Sequence, residues 1–398
     1  MNNIDLLPLF NRTKTLFAED IIKNESLISD LVRESNFLVI GGAGSIGKAV
    51  VKEVFKRNPK SLHVVDLSEN NLVELVRDIR SSYGYIKGDF QVFSIDCGSY
   101  IFEKFMNSST RYDYVMNLSA LKHVRSEKDV FTLLRLIEVN ILNVITTIRL
   151  AKENGALKYF AVSSDKATNP VNMMGASKRI MEMFLSIMSQ EIPISSARFA
   201  NVAFSDGSLL HGLKERIAKH QPISAPLDIR RYFITPQESG ELCLMACLLG
   251  NNREIFFPKL SDDLQLIKFT DVIERYLRML GYEPVVCQSE EDARSRSIEL
   301  ISRNQWPCNF FFSDTTGEKE YEEFYTGNEL LDMTRMIDVG VILENISVDS
   351  KVLKSFIVDL NKINSSIKID KSDLVNLFKA IIPEFQHLEI GKNLDQKM

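Results

Sequence analysis

A hydroxyl, a carboxyl and an amine stand in succession at Ser164-Asp165-Lys166, and a second amine follows at Lys178. Side chains of these types can give and take protons at neighbouring atoms of one substrate. They lie in the run Ser163-Ser164-Asp165-Lys166-Ala167-Thr168-Asn169-Pro170-Val171-Asn172-Met173-Met174-Gly175-Ala176-Ser177-Lys178. The apolar residues Tyr159 to Val162 just before it read as a buried strand, and a helical pattern runs from Gly175 to about Met188. Met174 and Lys178, four residues apart, share one helix face. The polar group therefore falls at the carboxyl end of a strand and in the loop beyond it, where open α/β sheets bind ligands. The plainer reading is a solvated loop with an Asn-Pro turn. A motif near the start of the chain weighs against it.

That motif is Gly41-Gly42-Ala43-Gly44-Ser45-Ile46-Gly47, set between the apolar strand Phe37–Ile40 and an amphipathic helix to about Arg57. Its glycines fit both GxGxxG (Gly42, Gly44, Gly47) and GxxGxxG (Gly41, Gly44, Gly47). Glycine lets the backbone approach a pyrophosphate at a helix N-terminus, where free N–H groups and the helix dipole favour anions. Strand before and helix after is the context that this fingerprint requires. The next strand ends in Asp66, nineteen residues beyond Gly47. A carboxylate there accepts both ribose hydroxyls of NAD and repels a 2′-phosphate, so NAD is expected in preference to NADP. A third strand ends at Asp96-Cys97, with Asp96 placed for an adenine amino group. A fourth ends in Asn117-Leu118-Ser119-Ala120-Leu121-Lys122-His123, and Asn117, Ser119 and Ala120 would pass beside the cofactor's ribose and nicotinamide.

Composition bounds the rest. At 398 residues with 45% hydrophobic and 25% charged side chains, one large domain with additions, or two domains, is expected. A net charge of −5 argues against a nucleic-acid partner. The longest apolar block, Leu242–Leu249, is far short of a membrane span, and the N-terminus does not read as a signal peptide. Five cysteines (Cys97, Cys243, Cys247, Cys287, Cys308) without a CxxC pair read as free thiols in a reducing cytoplasm. No histidine spacing suits a metal, and none is expected.

These elements give an organisation. Residues 1–35 are an arm and a helix (about Ala18–Arg33), read as a packing arm or an oligomer contact. Residues 36–255 form a Rossmann-type, doubly wound parallel sheet with helices on both faces. Residues 256–335 form a smaller α/β substrate-binding part. Residues 336–398 are a helical extension with a polar, disordered tail. A long helix, Val130 to Ala151, carries Asn140 on an apolar stretch, either as a core polar residue or as part of the site.

Taken in order, several runs resemble the extended short-chain dehydrogenase/reductase family, and within it the CapD-like polysaccharide-biosynthesis branch. They are Gly41–Gly47, Asn117–His123, Ser164-Asp165-Lys166 with Asn169-Pro170, Met174 to Lys178, Arg198-Phe199-Ala200-Asn201-Val202, Arg231-Tyr232-Phe233-Ile234-Thr235, and Gly317-Glu318-Lys319 with Glu322-Glu323. The superfamily pattern is Tyr-x-x-x-Lys, whereas Met174 stands in the tyrosine's place here, as it does in the large CapD-like dehydratases. The resemblance implies an NAD-dependent UDP-N-acetylglucosamine 4,6-dehydratase. Such an enzyme oxidises C4, eliminates water across C5 and C6, and returns the hydride to C6. Asp165 would be the acid at C6 and Lys166 the base at C5. Lys178 would bond the nicotinamide ribose. Ser164, Lys166 or a water on Lys178 would deprotonate the 4-hydroxyl. Lys122, His123, Asn201, Arg231 and Glu318 would meet the substrate, with Arg230 competing for the phosphate role, and Glu318 and Lys319 would close the site. Family members pair through helices equivalent to Val130–Ala151 and Met174–Ser189, so a homodimer or a higher multiple is implied.

Other readings stay open. A GDP carrier or inversion at C5 would use the same groups. A 4-epimerase or ketoreductase would need the tyrosine that Met174 replaces. A non-catalytic NAD-binding regulator could lose the tyrosine, but it would have no reason to keep Ser164, Asp165, Lys166 and Lys178 together.

Overall fold

The computed structural model describes residues 5–261, 264–313, 319, 321–344 and 349–387. Nine strands form the main sheet: β1 (Asn36–Ile40), β2 (Ser61–Asp66), β3 (Asp89–Ser94), β4 (Tyr114–Asn117), β5 (Lys158–Val162), β6 (Ile194–Ala197), β7 (Ile255–Pro258), β8 (Leu330–Asp332) and β9 (Val339–Glu344). Their order is β8-β9-β7-β6-β5-β4-β1-β2-β3. Strands β1 to β7 run parallel, and β9 pairs antiparallel with both β7 and β8. This is the expected Rossmann-type sheet. Continuous apolar runs make its middle strands, as sheets covered on both faces require. All five residues of β5 are buried.

The strand order reverses beside β1, and β1 pairs with β4 so that Ile40 lies opposite Asn117. The glycine loop and the Asn117–Ala120 loop therefore leave the sheet side by side, at the switch point where ligands bind.

Helices α1 (Ala18–Arg33), α2 (Ser45–Phe55), α3 (Glu69–Tyr83), α4 (Tyr100–Ser108), α5 (Val130–Ile137), α6 (Asn143–Glu153), α7 (Met173–Met188) and α9 (Pro236–Leu249) flank the sheet, while α8 (Leu209–Ala218) packs against the strand Ile223–Pro226. The long helix expected over 130–151 is not a uniform α-helix. A π-helical turn, Glu138–Leu142, separates α5 from α6 and holds Asn140. By length and composition, Val130–Glu153 is also apolar enough to cross a membrane, and half of its most apolar window is buried in the fold. Scanning for contiguous apolar blocks missed it, because single polar residues interrupt it.

A second core forms on a three-stranded parallel sheet of Glu283–Val286, Gln305–Phe311 and Ile223–Pro226, with α8 and α10 (Phe269–Met279) against it and Trp306 at its centre. The two sheets interleave along the chain instead of dividing near residue 255. Ile223–Pro226 belongs to the second sheet, while β8 and β9 return to the first. The N-terminal arm is a tie between the two. Leu9 and Phe10 join the second core, and Arg12 pairs with buried Glu238 at 2.7 Å. Asp20 accepts the N–H groups of Ile337, Asp338 and Val339.

The C-terminal helices α11 (Ser350–Asn364) and α12 (Lys371–Ile381) pack Leu353, Phe356, Leu360, Leu374 and Phe378 against α5 and α7. These two helices thus cover part of α5 and α7, among the helices through which a second copy was expected to pair. The tail expected to be disordered lies outside the described residues.

Candidate active site

The loop that carries Ser164, Asp165 and Lys166 begins where β5 ends. Ser164 is extended and caps a short turn, Asp165–Ala167. Its hydroxyl donates to Asp165 Oδ1 at 2.8 Å and accepts from the Lys166 N–H at 3.2 Å. The same Asp165 oxygen accepts from the Lys166 N–H at 2.9 Å and from Lys166 Nζ at 3.2 Å. Asp165 Oδ2 takes no hydrogen bond among the described residues. Asn172 caps α7 by accepting the Gly175 N–H. A Cβ on Gly175 would stand 2.3 Å from the Lys166 carbonyl, so only glycine lets the helix lie against this loop.

Met174 and Lys178 occupy α7 as expected. Met174 is 2% exposed and belongs to the apolar cluster shared with α5, α11 and α12. Lys178 Nζ donates to the Val162 carbonyl at 2.9 Å. Burial pushes its ammonium down to about 8, partly offset by the charge of Glu182.

The glycine loop fits a dinucleotide. Gly41 has φ +72°, and a Cβ there would stand 2.6 Å from the Ser119 N–H nitrogen. A Cβ on Gly42 would strike Val64, so both glycines are needed and the two spacings describe one turn. Gly44 differs, because a Cβ there would meet only the Gly41 carbonyl at 3.5 Å. Side chains cap the N-termini of α3, α4, α5, α7 and α8, whereas none caps α2. An open glycine before an uncapped helix is what a diphosphate needs. Asp66 accepts the Ala43 N–H at 2.9 Å and the Ser68 N–H at 2.9 Å, which places its carboxylate against the loop. Ser45 is turned elsewhere, its hydroxyl accepting the Asp206 N–H. Ile46 packs partly buried against the main core.

Other residues expected at the cofactor have partners within the chain. Asn117 is 1% exposed and donates to Thr147 and Tyr159, while its oxygen accepts both the N–H and the hydroxyl of Ser119. It therefore orients Ser119 and has no donor left for a cofactor. Asp96 pairs with Arg135 at 3.2 Å, a partner that the sequence did not point to. The Cys97 thiol lies 3.8 Å from the Ser119 hydroxyl, and burial pushes it up to about 11. Asn140 exchanges hydrogen bonds with both backbone groups of Leu121 and donates to Ser177, so it holds Ala120 and Lys122 from either side. All five cysteines are buried and unpaired.

Among the residues expected to meet the substrate, Lys122 is exposed, while the His123 ring stands over Gly207. Burial and the charges of Lys122 and Arg125 hold the His123 imidazolium below its ordinary range. Asn201 has a buried Nδ2 without a hydrogen-bond partner among the described residues. Arg231 is buried and donates to the Lys319 carbonyl at 2.9 Å, whereas Arg230 is exposed. Lys319 Nζ donates to the Thr168 carbonyl, and Glu323 accepts from Asn169, so Lys319 and Glu323 both bond the loop that follows Lys166. Glu318 lies outside the described residues. Glu322, quoted for the resemblance but given no role, turns inward at 5% exposure.

A buried network holds that segment. Arg198 bonds both oxygens of Glu182 and both of Glu329, and donates to the Phe324 carbonyl. Ser163 donates to Glu182 at 2.6 Å. The Arg-Phe-Ala-Asn-Val run was visible in sequence, but its acidic partners lie sixteen residues before it and far after it.

The family model described as polysaccharide biosynthesis protein matches residues 37–342. The chain belongs to this family. Within it, the chain is an extended short-chain dehydrogenase/reductase of the CapD-like branch, as the resemblance implied. This polysaccharide biosynthesis protein is 29% identical over 337 residues to the capsular polysaccharide biosynthesis protein CapD of Staphylococcus aureus, covering 80% of this chain and 51% of that one. The chain thus spans about half the length of that relative. An inverting UDP-N-acetylglucosamine 4,6-dehydratase of Campylobacter jejuni is 27% identical over 275 residues, covering 66% of this chain and 76% of that one. Relatives of this kind place the chain among nucleotide-sugar dehydratases and epimerases, as an enzyme of the short-chain dehydrogenase/reductase type. Pen from Bacillus thuringiensis shares the fold with a TM-score of 0.64 at 22% identity, covering 83% of this chain and 98% of that chain.

One expectation is corrected. An uncharacterized membrane protein, MJ1061, of Methanocaldococcus jannaschii is 31% identical over 327 residues, covering 79% of this chain and 87% of that one. With a relative of that description and the apolar Val130–Glu153 helix, the cytoplasmic placement read from the sequence is withdrawn.

Proposed function

We propose that the chain is an NAD-dependent nucleotide-sugar 4,6-dehydratase that converts UDP-N-acetylglucosamine to a UDP-4-keto-6-deoxy-N-acetylhexosamine for polysaccharide biosynthesis. One observation carries the reading. Asp165 and Lys166 hold a carboxyl and an amine 3.2 Å apart at the end of β5, with Met174 on the facing helix. Adjacent acid and base suit elimination across adjacent carbons, and methionine cannot do the proton work that an epimerase or ketoreductase asks of a hydroxyl.

NAD, when bound, supplies the acceptor and then the donor of one hydride. Gly44, the uncapped start of α2 and Asp66 would hold it. The 4-hydroxyl proton passes to Ser164, Lys166 or a water on Lys178 as the C4 ketone forms; the ketone acidifies C5, and Lys166 takes the C5 proton. Asp165 gives its proton to the C6 hydroxyl, which leaves as water. Ser164 orients Asp165 through its hydrogen bond to Oδ1. Lys178, bonded to the end of β5, brings an amine beside these groups without taking either role. Arg231, Lys122 and Asn201 would receive the sugar diphosphate, arginine through paired donors to phosphate oxygens. A dimer or a multiple of dimers belongs to the proposal.

The name of the Campylobacter relative supports a second reading, inversion at C5. The residues would be the same and only the face that is reprotonated would differ, and Met174 favours retention. Incubation with UDP-N-acetylglucosamine in D₂O, without added cofactor, is followed by NMR. A 4-keto-6-deoxy product with deuterium at C5 is expected, and its C5 configuration decides between the readings. Asp165→Asn should slow the reaction ~10²–10⁴-fold. No product from the UDP- or the GDP-linked sugar, even with NAD added, overturns the reading. A C4 epimer that keeps its oxygen assigns the chain to the epimerases.

A further inference from the structure

Glu322 is the buried acid that this scheme leaves unused. Its Oε1 lies 3.9 Å from Lys166 Nζ, and its Oε2 lies 3.8 Å from Lys319 Nζ. Oε2 is buried and has no hydrogen-bond partner among the described residues. The charged groups facing it are Asp165 and Lys166 from the catalytic loop, Arg231 from the strand beside it and Lys319 from its own segment. Burial raises its carboxyl's proton affinity, the Asp165 charge adds to that, and the three cations oppose it.

A purely structural ion pair would be expected to close to hydrogen-bond distance, and here neither contact does. The segment is already anchored by Arg198 and Glu329 at 2.8 Å. Glu322 instead leaves Lys166 between two carboxylates, Asp165 at 3.2 Å and itself at 3.9 Å.

We propose that Glu322 is a positioning carboxylate for Lys166, the second counter-charge that keeps the amine from being held by Asp165 alone. For the proton's identity this rests on the dehydratase reading. In the elimination, the C5–H bond breaks, its proton goes to Lys166 Nζ, and its electron pair forms the C5–C6 double bond as the C6–O bond breaks. The Asp165 proton leaves with that oxygen as water. Lys166 is then an ammonium and Asp165 a carboxylate within contact. With no other anion present, this pair would lock together. Glu322 draws the ammonium to its far side, which frees Asp165 to be reprotonated and lets Lys166 return its proton to C5.

The test uses the full chain with Glu322→Gln and Glu322→Asp. Acylation of lysines by acetic anhydride at neutral pH is followed peptide by peptide. Lys166 should react about tenfold faster in Glu322→Gln, since an opposite charge at this range shifts protonation by about a unit or more. Exposed Lys60 should not change. With UDP-N-acetylglucosamine, kcat should fall ~10²-fold and KM by less than about threefold, with part of kcat restored in Glu322→Asp. Unchanged Lys166 reactivity in Glu322→Gln overturns the inference. If that variant fails to fold, unchanged reactivity and kcat in Glu322→Asp do so. Faster Lys166 acylation in a protein that turns over no nucleotide sugar, wild type included, keeps the Glu322–Lys166 coupling and overturns the dehydratase reading instead.

Discussion

Lys178 shows how one buried amine answers to its surroundings. The residue is 3% exposed, and its one oxygen partner among the described residues is the Val162 carbonyl at 2.9 Å. Burial brings the folded-state ammonium down to about 8 from the ordinary 10.5. Between those values the unfolded chain binds more protons than the folded one, so this residue makes stability rise with pH from about 8 to about 10.5. Below pH 8 its charge is buried at a cost. Denaturant titrations of wild type and Lys178→Met should therefore diverge with pH. Wild type should gain on the order of 3 kcal/mol relative to the variant between pH 7.5 and 10.5. An equal pH response in both would show that Lys178 titrates normally. The residue types at this site were legible in sequence because acid, base and hydroxyl are contiguous. Glu322 was not, because only folding brings residue 322 over residue 166.

At the scale of elements, the site depends on how β5, β6, α7 and the 322–329 segment are fastened. Arg198 is fully buried between Glu182 of α7 and Glu329. Removing one partner of a buried ionic network leaves the other charges uncompensated. Arg198→Met should destabilise the protein by about 3–5 kcal/mol, measured by denaturant unfolding. Activity should fall further than stability alone explains, because Glu322 and Lys319 ride on the segment that Arg198 anchors. The π turn at Glu138–Leu142 is a second such fastening. It carries Asn140 to the Leu121 backbone and so sets the loop that ends at Lys122 and His123. The apolar pattern identified that helix but not the π turn within it.

For the whole molecule, α11 and α12 matter most. They bury Phe356 and Phe378 on the same cluster that holds Met174, Ile180 and Phe184. Phe356, 1% exposed, packs at 5.7 Å from the Phe378 ring and 6.4 Å from Phe184. Phe356→Ala should cost about 3–5 kcal/mol. In hydrogen exchange the loss should appear first in α11 and α12, with β1, β4 and β5 still protected. Uniform loss across the chain would show that the extension and the sheet open as one unit.

The sequence by itself determined the sheet, the glycine turn and the order of the catalytic residues. Those follow from local signals, namely apolar runs of strand length, glycine where backbone must approach backbone, and contiguous acid, base and hydroxyl. Only the tertiary structure decided what each charge answers to. Arg231 turned inward while Arg230 stayed in solvent, Asn117 and Asp96 were taken up by partners within the chain, and Glu322 arrived beside Lys166. Each is a contact between residues distant in sequence, and the burial that tunes a charge belongs to the packed whole, not to any stretch of the chain.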